Sequence, residues 1–174
     1  LNVCLAHPDY VKNQPGEAFG GRAFAPAEFD ASVFETNILN HSKYASVDKF
    51  ILGNITKDET KQKIYEACGD NKVDVILGGP PCQGFSMANR QRIIDDPRNQ
   101  LYKAYLQFLS YTRPQFFIME NVKGMASKID EIKDNFIEYL GDEYLFDYRL
   151  LNAKDFGVPQ NRERFIMIGN RIGI

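Results

Sequence analysis

Short apolar runs alternate with amphipathic segments along this chain. Three such runs, Leu1–Ala6, Ala23–Ala27 and Val73–Leu77, have the β-rich character of buried strands. Between them Ser32–Asn40 is a predicted helix, and a capping-box pattern at Thr56 predicts another that reaches Cys68. This alternation is typical of an α/β fold with a doubly wound, mostly parallel sheet.

The second half of the chain extends the pattern. Apolar residues at i, i+3, i+4, i+7 and i+8 from Leu101 predict an amphipathic helix that Arg113-Pro114 ends. Gln115–Met119 is a further apolar strand, and the stripe that begins at Ile129 predicts one more helix. Tyr144–Leu151 and Arg164–Ile168 read as a late antiparallel hairpin. No linker or repeat interrupts the chain, so residues 1–174 are interpreted as one domain.

Composition excludes few classes of function for this chain. The 174 residues carry a formal net charge of −2, so any nucleic-acid partner has to be argued from a local site. Three unpaired cysteines and two histidines do not form a zinc constellation and favour a reducing, cytoplasmic compartment. Because no zinc constellation is present, we expect no metal. Because no apolar run is long enough to span a membrane, we expect no membrane partner.

The stretch LGGPPCQGFS, residues 77–86, is the strongest candidate for a site. It follows the predicted Val73–Leu77 strand. Gly78-Gly79 is expected to give room for a turn, and two prolines stiffen it. Cys82 then lies past the carboxyl end of a strand, where open α/β sheets bind ligands. A cysteine that merely fills the core is the alternative, which this rigid turn disfavours.

Further polar residues are expected at the same edge of the sheet. Glu120 follows the Gln115–Met119 strand, and Arg162 and Arg164 would share one face if both lie on a strand. Surface ion pairing is the alternative for the two arginines. Glu28 follows the second strand, where an acidic residue either binds ribose hydroxyls or caps the next helix. Met87–Gln100 is predicted to be a mobile loop over the site.

Taken together, these stretches resemble the DNA (cytosine-5) methyltransferases. The likeness lies in GGPPCQGFS, in Glu120–Gly124 and in Gln160–Arg164, in the family's order and spacing. It implies a Rossmann-like methyltransferase domain that moves a methyl group from S-adenosylmethionine to carbon 5 of a flipped-out cytosine in DNA. It also implies that Cys82 is the nucleophile, that Glu120 handles a proton at ring nitrogen 3, that Arg164 binds the base carbonyl and that Arg162 braces the site.

The resemblance assigns the remaining contacts residue by residue. Those to the cofactor fall on Glu28, Phe29, Asn54, Ile55, Pro80 and Leu101, and those to the DNA on Pro81, Gln83, Gly84, Ser86 and Gln160. Two departures are visible. Asn54 stands where the family usually has Asp, and Ala6–Tyr10 replaces a Phe-x-Gly-x-Gly turn that wraps the cofactor.

The second departure predicts weak S-adenosylmethionine binding. The sequence also ends before the family's target-recognition domain, so we expect the chain alone not to methylate DNA. A separate chain is one source from which that domain could come. Two alternatives stay open. One is a transfer-RNA cytosine methyltransferase of the same fold, and the other is a non-catalytic methylase-like module.

Overall fold

A computed structural model describes residues 4–6, 27–28, 31–42, 50–68, 73–81, 93–96 and 99–173. The chain divides into two compact units, Leu1–Leu77 and Gly78–Ile174. Among the described residues, no helix has the length and apolar character needed to cross a membrane.

The first unit contains short strands and two helices. They are β1 (Cys4–Ala6), β2 (Ala27–Glu28), α1 (Ala31–His41), β3 (Ile51–Leu52), α2 (Asp58–Cys68) and β4 (Val75–Gly78), the last of which ends at the unit boundary. Strands β2 and β3 are parallel, with Glu28 opposite Leu52. The predicted α/β class is therefore confirmed.

The direction of β1 differs from the prediction. It pairs antiparallel with β4, with Cys4 opposite Leu77 and Ala6 opposite Val75, whereas the parallel β2–β3 pair belongs to a separate sheet. An apolar run identifies a strand, but its direction depends on the path of the connecting chain, which hydrophobic periodicity does not encode.

Helix α2 has the predicted end but a different start. Thr60, Ile64 and Cys68 are buried at four-residue intervals, as an amphipathic helix requires. The helix begins at Asp58, so Thr56 is not its N-cap residue and the predicted capping box is not formed. The Thr56 hydroxyl instead donates to Asn54 Oδ1 at 2.8 Å.

The second unit is built on a three-stranded antiparallel sheet. Its elements are α3 (Gln100–Thr112), β5 (Phe116–Val122), α4 (Ile129–Leu140), β6 (Leu145–Asn152) and β7 (Glu163–Asn170), with 3₁₀ turns at Ile93–Asp95, Lys123–Lys128 and Ala153–Phe156. The strand order is β5-β7-β6, and both pairings are antiparallel. The predicted late hairpin is therefore confirmed.

Aromatic packing fixes this sheet against α4. Phe117 of β5 stacks on Phe136 of α4 with ring centroids 5.0 Å apart, and Phe146 of β6 packs on the same ring. Arg113 ends α3 in the left-handed region at φ 46°. Its guanidinium donates to Leu140 O at 2.6 Å, which caps the end of α4. These contacts join β5 and β6 to α4, and the end of α3 to the end of α4.

Candidate active site

An ion pair between Glu120 and Arg164 lies at the end of β5. Register places Val122 opposite Arg164 and Glu120 opposite Ile166, so Glu120 and Arg164 are diagonal neighbours on one face. Arg164 Nε lies 2.7 Å from Glu120 Oε1, and the two side chains are 25% and 45% exposed. The sequence predicted that Glu120 follows the strand. Strand β5 continues to Val122, however, so Glu120 lies inside it.

The ion pair leaves polar atoms available on both side chains. Arg164 Nη1 donates to Glu163 O at 2.8 Å. Among the described residues, neither Arg164 Nη2 nor Glu120 Oε2 has a hydrogen-bond partner. A ligand at this edge would therefore meet one guanidinium donor and one carboxylate oxygen side by side.

The two glycines before Cys82 allow close approach rather than an unusual turn. A Cβ on Gly79 would lie 3.1 Å from Glu120 Oε2. A Cβ on Gly78 would lie 2.6 Å from Tyr105 Cδ2 and closer still to Cε2. Neither glycine has a left-handed φ, so the prediction that they open a turn is replaced by a packing reason. Gly79 brings the backbone before Cys82 against the carboxylate.

Asn121 joins the same segment to β5 from the opposite face. Its Nδ2 donates to Pro80 O at 2.7 Å, and its Oδ1 accepts from Val122 N at 2.9 Å. The side chain is only 5% exposed, and Pro80 is buried while Pro81 is exposed. Sequence reasoning did not assign Asn121. The available signal was a polar residue at a buried position of the alternating β5 pattern.

Arg162 does not share the strand position of Arg164. Strand β7 begins at Glu163, so Arg162 lies in the preceding loop and the shared-face prediction fails for it. The loop is fixed through Asn152, whose Oδ1 accepts from Arg162 N at 3.1 Å and whose Nδ2 donates to Asn161 Oδ1 at 2.7 Å. The Arg162 and Gln160 side chains are exposed, next to the edge that carries the ion pair.

A second ion pair flanks the site. Lys123 Nζ donates to Glu163 Oε2 at 2.7 Å, which ties the residue after β5 to the first residue of β7. The Lys123 hydrogen bond and charge hold the pKa of Glu163 below its ordinary value. Both side chains are largely exposed, so this pair adds little stability.

In the first unit, backbone placement brings two predicted cofactor residues to one edge. Glu28 ends β2 opposite Leu52 in a parallel pair, and Asn54 comes two residues after Leu52. Asn54 Oδ1 already accepts from Thr56 N at 3.0 Å and from the Thr56 hydroxyl. Ile55 is buried. Because Asn54 Oδ1 already accepts two hydrogen bonds, a further donor at this atom would have to replace one from Thr56.

The other predicted residues divide into two groups. Leu101 lies half-buried in the first turn of α3. Phe29, Cys82, Gln83, Gly84 and Ser86 lie outside the described residues, as do the Ala6–Tyr10 turn beyond Ala6 and most of the predicted Met87–Gln100 loop, whose last residue begins α3. Within the described ranges, no group of three His, Cys, Asp or Glu side chains is placed to hold a metal ion.

Comparison with known proteins gives one family. A family model described as C-5 cytosine-specific DNA methylase matches residues 15–173. The Type II methyltransferase M.AquIA of Picosynechococcus sp. is 43% identical over 135 residues, which cover 71% of this chain and 54% of that protein. The Type II methyltransferase M.XorII of Xanthomonas oryzae pv. oryzae is 36% identical over 162 residues, or 91% of this chain and 37% of that protein.

Solved structures give the same fold. A prophage-encoded protein of E. coli, solved as a candidate DNA modification methyltransferase, is 29% identical with a TM-score of 0.65. The match covers 86% of this chain and 40% of that one. The DNMT2 methyltransferase of Spodoptera frugiperda has a TM-score of 0.62 at 22% identity, over 90% of this chain and 44% of that one, which shows the fold alone. This chain therefore spans about half, or less, of the length of the relatives described here.

Proposed function

The chain belongs to the C-5 cytosine-specific DNA methylase family, and from this premise we propose that it is the catalytic part of a DNA (cytosine-5) methyltransferase. Its residues 1–174 would act as one catalytic domain. The observation that carries the proposal is the Glu120–Arg164 pair at 2.7 Å, together with the closeness of Gly79, three residues before Cys82, where an added Cβ would lie 3.1 Å from Glu120 Oε2. A carboxylate, a guanidinium and the chain leading to a thiol thus share one edge.

Cys82 is the proposed nucleophile. Carbon 5 of cytosine is a weak nucleophile, and adding a thiolate to carbon 6 makes it reactive. The S–C6 bond forms as the C5–C6 double bond gives its electron pair to the ring. S-adenosylmethionine, when bound, supplies the methyl group that carbon 5 takes. Loss of the carbon 5 proton and cleavage of the S–C6 bond then restore both the aromatic ring and the thiolate.

Glu120 and Arg164 have complementary proposed roles. Glu120 Oε2, which lies beside Gly79, would hold a proton at ring nitrogen 3 and so offset the charge that the thiolate brings. Arg164 Nη2 would donate to the base carbonyl while Nε continues to hold Glu120. One arginine can do both because the guanidinium has five N–H donors in a fixed plane.

Other assignments follow the family motif. Pro81, Gln83, Gly84, Ser86, Gln160 and Arg162 are proposed to contact DNA or brace the loop. Glu28, Phe29, Asn54, Ile55, Pro80 and Leu101 are proposed to hold S-adenosylmethionine. The parallel register of Glu28 with Leu52 supports the adenosine half of that proposal.

The proposed setting is a bacterial or phage methyltransferase in the cytoplasm, or a nuclear enzyme in a eukaryote. Target recognition, including the flipping of the base, is proposed to involve residues outside this sequence, on the same polypeptide or on a separate chain.

A mechanism-based trap tests the proposal. In a complete version of the enzyme, which includes the target-recognition part, a DNA oligonucleotide that contains 5-fluorocytosine, supplied with S-adenosylmethionine, should form a covalent adduct at Cys82, because fluorine cannot leave carbon 5 as a proton does. Peptide mass spectrometry locates the adduct. Cys82→Ala should abolish it. An adduct at Cys4 or Cys68, or none at all, would contradict the proposal, and an adduct with the matching RNA in place of DNA would favour the transfer-RNA alternative.

A matched arginine pair sharpens the test. Arg164→Gln removes the guanidinium beside Glu120, whereas Arg149→Gln removes one that pairs with Asp147 at 2.8 Å on an exposed part of β6. Only Arg164→Gln should slow adduct formation, by roughly a hundredfold. Equal rates for the two variants would remove Arg164 from the site.

A further inference from the structure

The backbone just before Cys82 is short of hydrogen-bond donors. Pro80 and Pro81 both lack an amide N–H, so their backbone can only accept hydrogen bonds through carbonyl oxygens. A segment of this kind needs a donor from elsewhere to fix its position. Asn121 Nδ2 supplies that donor to Pro80 O at 2.7 Å, in a buried bond between residues distant in sequence.

The carboxamide of Asn121 suits this task. Its Oδ1 accepts from Val122 N at 2.9 Å, so the side chain is oriented by its own strand while its Nδ2 reaches the proline. An ionised aspartate has no donor and a leucine has neither group. Because the side chain is buried, water does not replace the bond readily, so its loss weakens the attachment of Pro80 O to β5.

Two consecutive residues of β5, Glu120 and Asn121, lie next to two consecutive residues of the chain before Cys82, Gly79 and Pro80. Glu120 lies beside Gly79, and Asn121, whose side chain points to the other face, holds Pro80. Only Pro81, with its fixed φ, separates Pro80 from Cys82. The Asn121 bond thus sets where the chain towards the cysteine begins relative to the carboxylate.

We infer that Asn121 is a positioning residue, which holds the start of the Cys82 segment in register with Glu120. This inference rests on the proposed function, since register matters for chemistry only if Cys82 attacks the base. Asn121 itself touches no reacting atom.

The test compares Asn121→Ala with Asn135→Ala, which removes a fully buried asparagine from α4 in the same unit. In the complete enzyme, we expect Asn121→Ala to slow adduct formation with a saturating 5-fluorocytosine oligonucleotide by about tenfold to a hundredfold. Its affinity for the same oligonucleotide with ordinary cytosine should change by less than about threefold. Asn135→Ala should lose stability but keep the wild-type rate. Equal rates for wild type and Asn121→Ala would overturn the inference.

Asn121→Asp provides a second variant that does not leave a cavity. It keeps the size and the acceptor of asparagine and loses the donor while ionised, so it should also be slow. A wild-type rate in this variant would count against the inference in the same way.

A readout that does not need turnover separates this inference from the proposed function. If wild type forms no adduct, the proposed function fails, and iodoacetamide alkylation then tests Asn121 alone. Cys82 should be alkylated several-fold faster in Asn121→Ala than in wild type or Asn135→Ala, with the buried Cys68 as the internal reference. Unchanged Cys82 alkylation would show that the Asn121 bond does not restrain the segment.

Discussion

Gly78→Ala is expected to destabilise the second unit through a single methyl group. The added Cβ would lie 2.6 Å from Tyr105 Cδ2 and closer to Cε2, so the ring has to move. Tyr105 is fully buried, and its hydroxyl donates to Ile118 O at 3.1 Å. Moving the ring therefore strains the core and stretches that hydrogen bond.

The magnitude follows from these two effects. Overpacking a core costs roughly 1–3 kcal/mol, and weakening one buried hydrogen bond adds up to about 1 kcal/mol. We expect a loss of about 2–3 kcal/mol in the free energy of unfolding, which lowers the melting temperature by roughly 4–12 °C in a protein of this size. Thermal and urea unfolding followed by circular dichroism measure both quantities.

Gly124→Ala is the matched control. A Cβ there meets nothing within 4 Å, and its φ is not left-handed, so the free energy should change by less than about 0.5 kcal/mol. If Gly78→Ala is as stable as Gly124→Ala, the close packing of Tyr105 on the chain before Cys82 is not real and the reasoning fails.

Three further predictions concern the frame around the site. Arg113→Ala should lower the free energy of unfolding by about 1–2 kcal/mol, because the cap on α4 is lost while the left-handed φ remains. Arg113→Gly should be about 1 kcal/mol more stable than Arg113→Ala in urea unfolding, because glycine adopts that φ without strain. The reverse order of the two variants would refute this. Burial raises the pKa of Tyr144 from 10.0 to about 12. The folded state then holds the phenol proton more tightly, so stability should fall as the pH rises from 10 towards 12. Tyr144→Phe should show a shallower slope, not a flat one, because burial also raises the pKa of Tyr105 and of Tyr139; an unchanged slope would contradict the assignment. Lys123→Ala should raise the pKa of Glu163 towards 4.5, measured by NMR titration, because the Lys123 hydrogen bond and charge lower it. The stabilisation from this pair is present above pH 4.5 and is lost as the pH falls through the lowered pKa of Glu163. An unchanged titration of Glu163 would contradict the assigned cause.

Much of the second unit could be predicted from the sequence because the patterns that indicate its helices and strands are local. The stripe from Ile129 to Leu140 gave α4, whose observed bounds are Ile129–Leu140. The hairpin and the meeting of Glu120 with Arg164 followed from strand ends and sheet edges. These features depend on periodicities that a single strand or helix carries by itself.

The missed features depend on competition between neighbours. Arg162 was placed beside Arg164 by a two-residue period, which holds only inside a strand, and β7 begins one residue later. The capping box predicted at Thr56 is absent because α2 begins at Asp58, and Thr56 bonds locally to Asn54 instead. The role of Asn121 depends on a partner far along the chain, which no local pattern reports.

The strand order β5-β7-β6 has a consequence for how the protein is made. Strand β7 is the last of the three to leave the ribosome, yet it lies in the middle, and β6 reaches β5 only through it. β5 and β6 each pair with β7 and not with each other, so until Glu163–Asn170 inserts no strand joins them and Arg164 is not held beside Glu120. Pairing between strands distant in sequence is intrinsically slow. We therefore expect the edge that carries the Glu120–Arg164 ion pair to form late, when β7 takes its place between the other two strands.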